Sequence, residues 1–233
     1  MNSTMKTTIL AIAAVIVGVN SMGALECIPE ALIDPSDFID GVNNPFFQLV
    51  QRTLFVYEKV GEDGTERVEF RVTADRKDIL GVSCVVVRDM AFLDGELIED
   101  TLDWFAQDED GNVWYFGEFA QNFEGGVVIN TDGSWEGGVD GAEPGIIMQS
   151  SPVVGEVYNQ ENAPGIAEDM AEVLSLAESV TVPFGTFENC LETRDFTPLE
   201  PTIEEFKFYA EGVGQVLTLE DGERLELISV AIE

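Results

Sequence analysis

The stretch that decides the fold is Glu96–Glu118, ELIEDTLDWFAQDEDGNVWYFGE, which is the clearest β-hairpin in the chain. Its Asp110-Gly111 dipeptide is typical of a tight type I′ turn, in which both central residues need a positive φ. A two-residue loop predicts these opposed pairs: Glu109 with Asn112, Gln107 with Trp114, Phe105 with Phe116, and Asp103 with Glu118. Because directly opposed residues share one face of a sheet, we expect an aromatic pair beside a pair of carboxylates.

Asp-Gly dipeptides recur along the chain, from Asp63-Gly64 to Asp221-Gly222, mostly between runs in which apolar residues alternate with polar ones. Val68, Phe70 and Val72, for example, alternate with charged residues, as a half-buried strand requires. This pattern predicts consecutive antiparallel strands rather than parallel βαβ units. A long sheet of this kind must hide one face, so we predict an all-β protein, an antiparallel meander curled into a barrel, half-barrel or sandwich.

Two segments depart from this rhythm. Gly137–Pro152 is rich in glycine and proline and is interpreted as a functional or covering loop. Ile166–Leu176 has the composition and apolar spacing of a helix, but Leu174–Val182 partly alternates like a strand. We therefore expect strand there with a possible helical turn, and at most one short helix in the fold.

The N-terminus has the features of an export signal. Lys6 precedes the apolar run Ile9–Val19, which is too short to span a bilayer, and small residues suited to cleavage follow. We predict a signal peptide over residues 1–23, a lead-in over 24–44 and one antiparallel β domain over 45–233. The mature chain should then be periplasmic, extracellular or on the cell surface, with no integral membrane span. Glu26 directly before Cys27 disfavours a lipoprotein anchor without excluding one.

The formal net charge is −34, and the acidic residues are spread along the chain rather than collected in one block. Such a charge repels nucleic acid and anionic membrane surfaces, so neither is an expected partner. Spread acidity suits solubility in a saline setting, and it also favours cations or cationic partners.

The chain has three cysteines and no histidine. Without histidine, the usual general base of a serine or cysteine triad and the commonest zinc ligand are both missing. Cys84 and Cys190 lie in strand-like runs, and in an exported protein they would form a disulfide if they meet, leaving Cys27 unpaired. Two buried thiols that never meet are the alternative.

Two segments carry a resemblance to known sequences. VTVPFGTFENCLET, residues 180–193, and FKFYAEGVGQV, residues 206–216, resemble a pattern in an uncharacterised family of exported bacterial and archaeal all-β proteins. The hairpin DWFAQDEDGNVWYFGE with GSWEGGVDGAEPGI is similar to members of that family as well. The resemblance implies an extracytoplasmic, curved antiparallel sheet, and it carries no catalytic residues.

The hairpin tip offers one candidate metal site. Asp108, Asp110 and Asn112 supply the oxygen ligands that Ca²⁺ prefers. The glycine at position 111 comes too early for an EF-hand-like loop, and a hairpin turn accounts for the same residues. Ca²⁺ is thus the one cofactor that the sequence leaves open.

Six residues near the hairpin combine aromatic rings with carboxylates and form the candidate ligand-binding set: Trp104, Trp114, Trp135, Asp103, Glu118 and Glu136. Two carboxylates beside aromatic platforms are the parts of a glycosidase site. The predicted register, however, places Trp104 and Trp114 on opposite faces of the hairpin, and tryptophans of this kind often fill a core.

The leading functional hypothesis is an exported, non-enzymatic β-domain that binds an unidentified ligand or partner in a concave sheet or barrel mouth. It predicts an apolar cavity on the concave side. One alternative is a carboxylate enzyme of glycosidase or lyase type that uses Asp103, Glu118 or Glu136. The other is a surface protein stabilised by Ca²⁺.

Overall fold

The structure is a computed structural model that describes residues 33–61 and 63–233. The predicted signal peptide and Cys27 lie outside the described residues. Within the described part there is one 3₁₀ turn, Pro35–Asp37, and no α-helix. The strands are β1 Phe38–Ile39, β2 Asn43–Asn44, β3 Phe47–Gln48, β4 Thr53–Gly61, β5 Gly64–Ile79, β6 Val82–Leu93, β7 Glu96–Asp108, β8 Val113–Glu124, β9 Val127–Asn130, β10 Trp135–Glu136, β11 Glu143–Met148, β12 Val157–Asn159, β13 Glu161–Asn162, β14 Met170–Val182, β15 Gly185–Phe196, β16 Glu204–Ala210, β17 Gly214–Glu220 and β18 Glu223–Ile232.

The strands form one antiparallel sheet that curls almost into a closed barrel. The wall runs β14-β15-β16-β17-β18-β4-β5-β6-β7-β8-β11, so most neighbours in space are also neighbours in sequence. This confirms the predicted all-β antiparallel meander. Tight turns join the strands where the sequence predicts them: Asp94-Gly95 and Asp221-Gly222 each have two positive φ angles, as a type I′ turn requires.

A short segment closes the gap between the two ends of this wall. β12 pairs with β14 at one end and β13 pairs with β11 at the other, and only Gln160 separates the two strands. The backbone N–H groups of Gln160 and Glu161 both donate to the carbonyl of Asp169, at 2.7 and 3.1 Å. The segment 157–162 therefore bridges the seam of the barrel.

Two apolar clusters lie on opposite sides of the sheet. The larger one fills much of the barrel interior and includes Val87, Phe105 and Leu227. The smaller one lies outside the barrel, around Trp104 and Phe116. It is covered by the N-terminal segment, where Phe38 packs its ring edge-on against Phe116 at 5.5 Å between centroids, and β1 adds to the edge of β7.

The opening hairpin differs from the predicted register. Gln107 pairs with Val113, so the loop is Glu109–Asn112, and of Asp110 and Gly111 only the glycine has a positive φ. Phe105 consequently lies opposite Tyr115 rather than Phe116, and Ala106 rather than Gln107 lies opposite Trp114. A bulge between Asp103 and Phe105 then restores the predicted pairing of Asp103 with Glu118.

Three further expectations can be compared with the structure, and one of them is confirmed. Met170–Val182 is a strand, as the alternation indicated, but the predicted loop Gly137–Pro152 contains strand β11 and is part of the wall. The Cys84–Cys190 disulfide is not formed, and both residues are buried free thiols. The reason is that Cys84 belongs to the outer cluster and Cys190 to the inner one, so the sheet lies between them.

Candidate functional site

The barrel interior is not packed solid. A cavity of about 340 Å³ lies between the wall formed by β4–β7 and the wall formed by β16–β18. Its apolar lining consists mainly of Phe47, Leu49, Phe55, Val68, Phe70 and Leu225. Polar and charged side chains line much of the rest, and one of them, Glu223, is 40% exposed, so this end of the cavity reaches solvent.

The cavity contains two lysines, and each is held by two carboxylates. Lys59 Nζ lies 2.7 Å from Glu66 and 3.6 Å from Glu223. Burial alone would lower the pKa of Lys59, but the hydrogen bond and charge of Glu66 outweigh it and raise the pKa. The amine is therefore fully charged at neutral pH.

Lys207 is the second lysine, and its side chain is as far buried as that of Lys59 to within a few per cent of exposed surface. Lys207 Nζ lies 3.0 Å from Asp195 and 3.2 Å from Glu205. Burial opposes its charge, yet the two carboxylates raise the pKa of Lys207 well above its ordinary value. Both lysines thus have their charge compensated within the protein.

Three other carboxyl groups in the cavity wall have no ion-pair partner among the described residues: Asp89, Glu99 and Glu220. Burial is the main cause that raises the pKa of all three, to about 7 for Glu220 and well above the ordinary value for Asp89. Glu99 accepts a hydrogen bond from the Thr101 hydroxyl at 2.9 Å. The titratable groups of the cavity that lack an ion-pair partner among the described residues are therefore carboxyls, and burial favours their neutral form.

Next to this cavity, Tyr115 connects the opposed carboxyls of the hairpin. Its hydroxyl lies 2.7 Å from Asp103 Oδ1 and 2.8 Å from Glu118 Oε2. A hydroxyl has one hydrogen to donate, so two straight bonds of this length require that one carboxyl is protonated and donates to the tyrosine oxygen. Burial, followed by the charge of a neighbouring carboxyl, raises the pKa of both Asp103 and Glu118 well above the ordinary range.

Two further carboxyl groups, those of Glu161 and Asp169, lie at the seam of the barrel. Burial and neighbouring charge raise the pKa of Glu161 to about 8, and burial raises that of Asp169 to about 6. The indole N–H of Trp135 donates to Glu161 at 3.3 Å. Glu99 lines both the main cavity and a pocket of about 180 Å³ that it shares with Glu118, Glu161 and Asp169, so the carboxyls form a continuous interior band.

The six predicted ligand-binding residues are divided between the two faces of the sheet. Asp103, Glu118 and Trp135 lie inside the barrel, where Trp135 packs edge-on against Tyr115. Trp104 and Trp114 pack in or against the outer cluster, so the prediction that they lie on opposite faces is wrong, because the loop is longer than two residues.

Glu136 lies on the outer face with Trp104. It pairs with Lys77 at 2.8 Å, and the same lysine stacks over the Trp104 ring at 3.7 Å. The three carboxyls of the enzyme hypothesis therefore do not converge, although Asp103 and Glu118 do.

At the hairpin tip, the candidate calcium ligands are engaged in the turn. Asp108 accepts from the backbone and side-chain N–H groups of Asn112 and from the indole of Trp114, at 2.8 to 2.9 Å. Asn112 Oδ1 accepts from the backbone of Ser150. Among the described residues no group of three or more acidic, cysteine or histidine side chains is arranged to hold a metal. The calcium site of Asp108, Asp110 and Asn112 stays a prediction without support from these contacts.

The sequence did not point to five titratable residues of the barrel interior, namely Asp89, Tyr115, Lys207, Glu161 and Asp169. One signal was available, because Asp89 follows Val85 and Val87 in the alternation that faces the interior. Glu161 and Asp169 offered none, since they meet the others only through the closure of the barrel.

Comparison with known proteins yields little. No family model matches the chain, and no curated protein matches it. One solved structure, described as a putative lipoprotein from Parabacteroides distasonis, is 14% identical and covers 81% of this chain and 99% of its own, with a TM-score of 0.43. None of the helices in the described residues has the length and apolar character to cross a bilayer.

Proposed function

We propose that the protein is an exported, non-enzymatic β-barrel domain that binds a small organic ligand in its interior cavity. The observation that carries the proposal is the cavity of about 340 Å³ between β4–β7 and β16–β18, with an apolar wall and a few charged groups. Ligand pockets in proteins have volumes from about 300 Å³ upwards and this mixture of lining, so the ligand should be small. Export rests on the N-terminal sequence alone.

Binding is favoured over glycoside chemistry by the arrangement of Asp103 and Glu118. Glycosidases hold two carboxyls about 5–10 Å apart, with the sugar between them. Here both carboxyls contact one tyrosine hydroxyl, and Asp103 is only 6% exposed. A substrate would have to displace Tyr115 from both groups to reach them.

The proposal is tested by filling the cavity. Ala91 lines it from β6, whereas Ala231 is exposed on the outside of β18, so Ala91→Phe and Ala231→Phe are a matched pair. The purified protein should raise the fluorescence of Nile red, a neutral apolar dye, and the Ala91→Phe variant should weaken this binding by about tenfold or more. Ala231→Phe should bind as the wild type does.

A second filling variant guards against a folding defect. Val213→Phe enters the cavity from the opposite wall and should also weaken dye binding, with an unchanged circular dichroism spectrum. Equal dye affinity in the wild type and both filling variants would place the dye elsewhere and overturn the proposal. The absence of any dye binding would also count against it.

A further inference from the structure

The charges that line the cavity indicate which class of ligand it accepts. We propose that the ligand is an amphipathic organic cation, an amine with an apolar chain, whose ammonium group pairs with Asp89 and its neighbour Glu99. This inference rests on the proposed function, since it concerns the same cavity. Its evidence is the excess of carboxyls over lysines in the lining, the lack of an ion-pair partner for Asp89 among the described residues, and the apolar surface beside it.

Acidic groups outnumber basic ones in the cavity. Six carboxyls and two lysines line it: Glu66, Asp89, Glu99, Glu205, Glu220 and Glu223 with Lys59 and Lys207. Each lysine already contacts two carboxylates, and the fourth of these, Asp195, lies just outside the lining. No lysine is therefore left to receive an anionic ligand such as a fatty acid, whereas carboxyls without an ion-pair partner are available to a cation.

Asp89 is the carboxyl with which the ligand's ammonium group would form an ion pair. In the register it lies between Phe70 on β5 and Thr101 on β7, in the interior-facing phase of its strand. Among the described residues no side chain donates a hydrogen bond to it; its one donor is the backbone N–H of Met90, while burial and the neighbouring Asp103 and Glu99 raise its pKa. A carboxyl with one backbone donor has further acceptor sites free, and an ammonium group supplies both a donor and a compensating charge.

The surface beside Asp89 suits an apolar chain. Phe70, its partner on β5, packs edge-on against Phe55 at 6.0 Å between centroids, and Val68 and Leu225 also line the cavity. Aromatic faces add a favourable contact for an ammonium group near them. The cavity therefore offers a carboxyl for a cation and an apolar surface for hydrocarbon side by side.

The test compares three probes with the same chain and different head groups. Octylamine, octan-1-ol and octanoate are titrated into the protein by calorimetry at neutral pH. We expect octylamine to bind about tenfold or more tightly than octan-1-ol, and octanoate to bind most weakly, because one charge-assisted hydrogen bond contributes at least this much. Octylamine binding should also release protons, since it ionises carboxyls whose pKa is raised by burial.

Variants assign the effect to Asp89. Asp89→Asn should lower the affinity for octylamine about tenfold and leave that for octan-1-ol within about twofold. Glu109→Gln, an exposed position at the hairpin tip, is the control and should change neither. Glu99→Gln provides a second variant, and it should lower the affinity for octylamine selectively as well.

Each outcome decides something different. Equal affinities for octylamine and octan-1-ol would overturn the cation inference and leave the proposed function standing. Tightest binding of octanoate would overturn it in favour of an anionic ligand. Binding of octylamine that Asp89→Asn and Glu99→Gln leave unchanged would also overturn it. Failure of all three probes to bind would instead contradict the proposed function itself.

Discussion

Asp103 and Glu118 lie opposite one another on adjacent strands, and both contact the hydroxyl of Tyr115, at 2.7 and 2.8 Å. The tyrosine also stacks on Phe105, with ring centroids 4.7 Å apart, so its position is fixed by the core. One hydrogen on the hydroxyl and one proton on a carboxyl satisfy the group. The arrangement is therefore a protonated, interior acid pair held by a tyrosine.

The first prediction concerns the Tyr115 hydroxyl. Tyr115→Phe should lower the free energy of unfolding by about 1–3 kcal/mol, because it leaves two buried carboxyls without their shared partner. Tyr158→Phe is the matched control, since no described residue forms a hydrogen bond with the Tyr158 hydroxyl, and it should cost less than about 0.5 kcal/mol. Equal losses in urea denaturation would contradict the account.

The second prediction concerns pH. Burial raises the pKa of Glu161 from 4.5 to about 8 and that of Asp169 from 3.8 to about 6, so the folded state binds more protons than the unfolded state between these values. The stability that these two groups contribute should therefore be fully present below about pH 4 and should be lost as the pH rises towards about 8.

The variant Glu161→Gln isolates this effect. Glutamine cannot ionise, so the variant should lose less stability than the wild type between about pH 5 and pH 8. Glu109→Gln, which removes an exposed carboxyl, should follow the wild-type curve. Melting temperatures at several pH values and constant salt provide the measurement, and parallel curves for all three proteins would contradict the prediction.

The third prediction concerns the bulge that restores the predicted register, in which Phe116 and Gly117 on β8 lie opposite Trp104 on β7. Gly117 has a φ of 128°, and a Cβ there would collide with the backbone carbonyl of Trp135. Gly117→Ala should cost about 2 kcal/mol or more, from both strain and collision. Gly95→Ala, at a positive φ but with open space around it, should cost only about 1 kcal/mol. A reversed order would refute the assigned bulge.

The fourth prediction concerns the ion pair of Lys207 with Asp195. Lys207→Met leaves the buried carboxylate of Asp195 without its cation, so the free energy of unfolding should fall by about 2–3 kcal/mol. Lys77→Met, at a pair on the outer face in which both side chains are about one third exposed, should cost about 1 kcal/mol or less. Similar losses for the two variants in urea denaturation would contradict the burial of Asp195 in this pair.

The fold could be predicted from local signals because most strands pair with their neighbours in sequence. Asp94-Gly95 and Asp221-Gly222 form the type I′ turns that their sequence favours. At the opening hairpin the same dipeptide failed, because the Asp108 side chain accepts from the Asn112 backbone and stabilises a longer loop. The bulge at Gly117 then compensated for that error, which is why the pairing of Asp103 with Glu118 was still correct.

The candidate site was less predictable, because it depends on contacts between distant parts of the chain. Asp103 and Glu118 could be placed together since they belong to one hairpin. Lys207 and Asp89, by contrast, line one cavity only because the sheet curls until β16 faces β6. The sequence alone could not show that Glu136 lies apart from Asp103 and Glu118. That follows from the orientation of β10, in which Trp135 faces the interior and Glu136 faces outwards.

The most direct test of the central claim is a crystal structure of the protein grown with octylamine. The account predicts electron density for the amine inside the barrel, with its chain along Phe55 and Phe70 and its nitrogen within ion-pair distance of Asp89. Well-ordered amine bound only on the outer surface, with the interior cavity unoccupied at saturating octylamine, would contradict it.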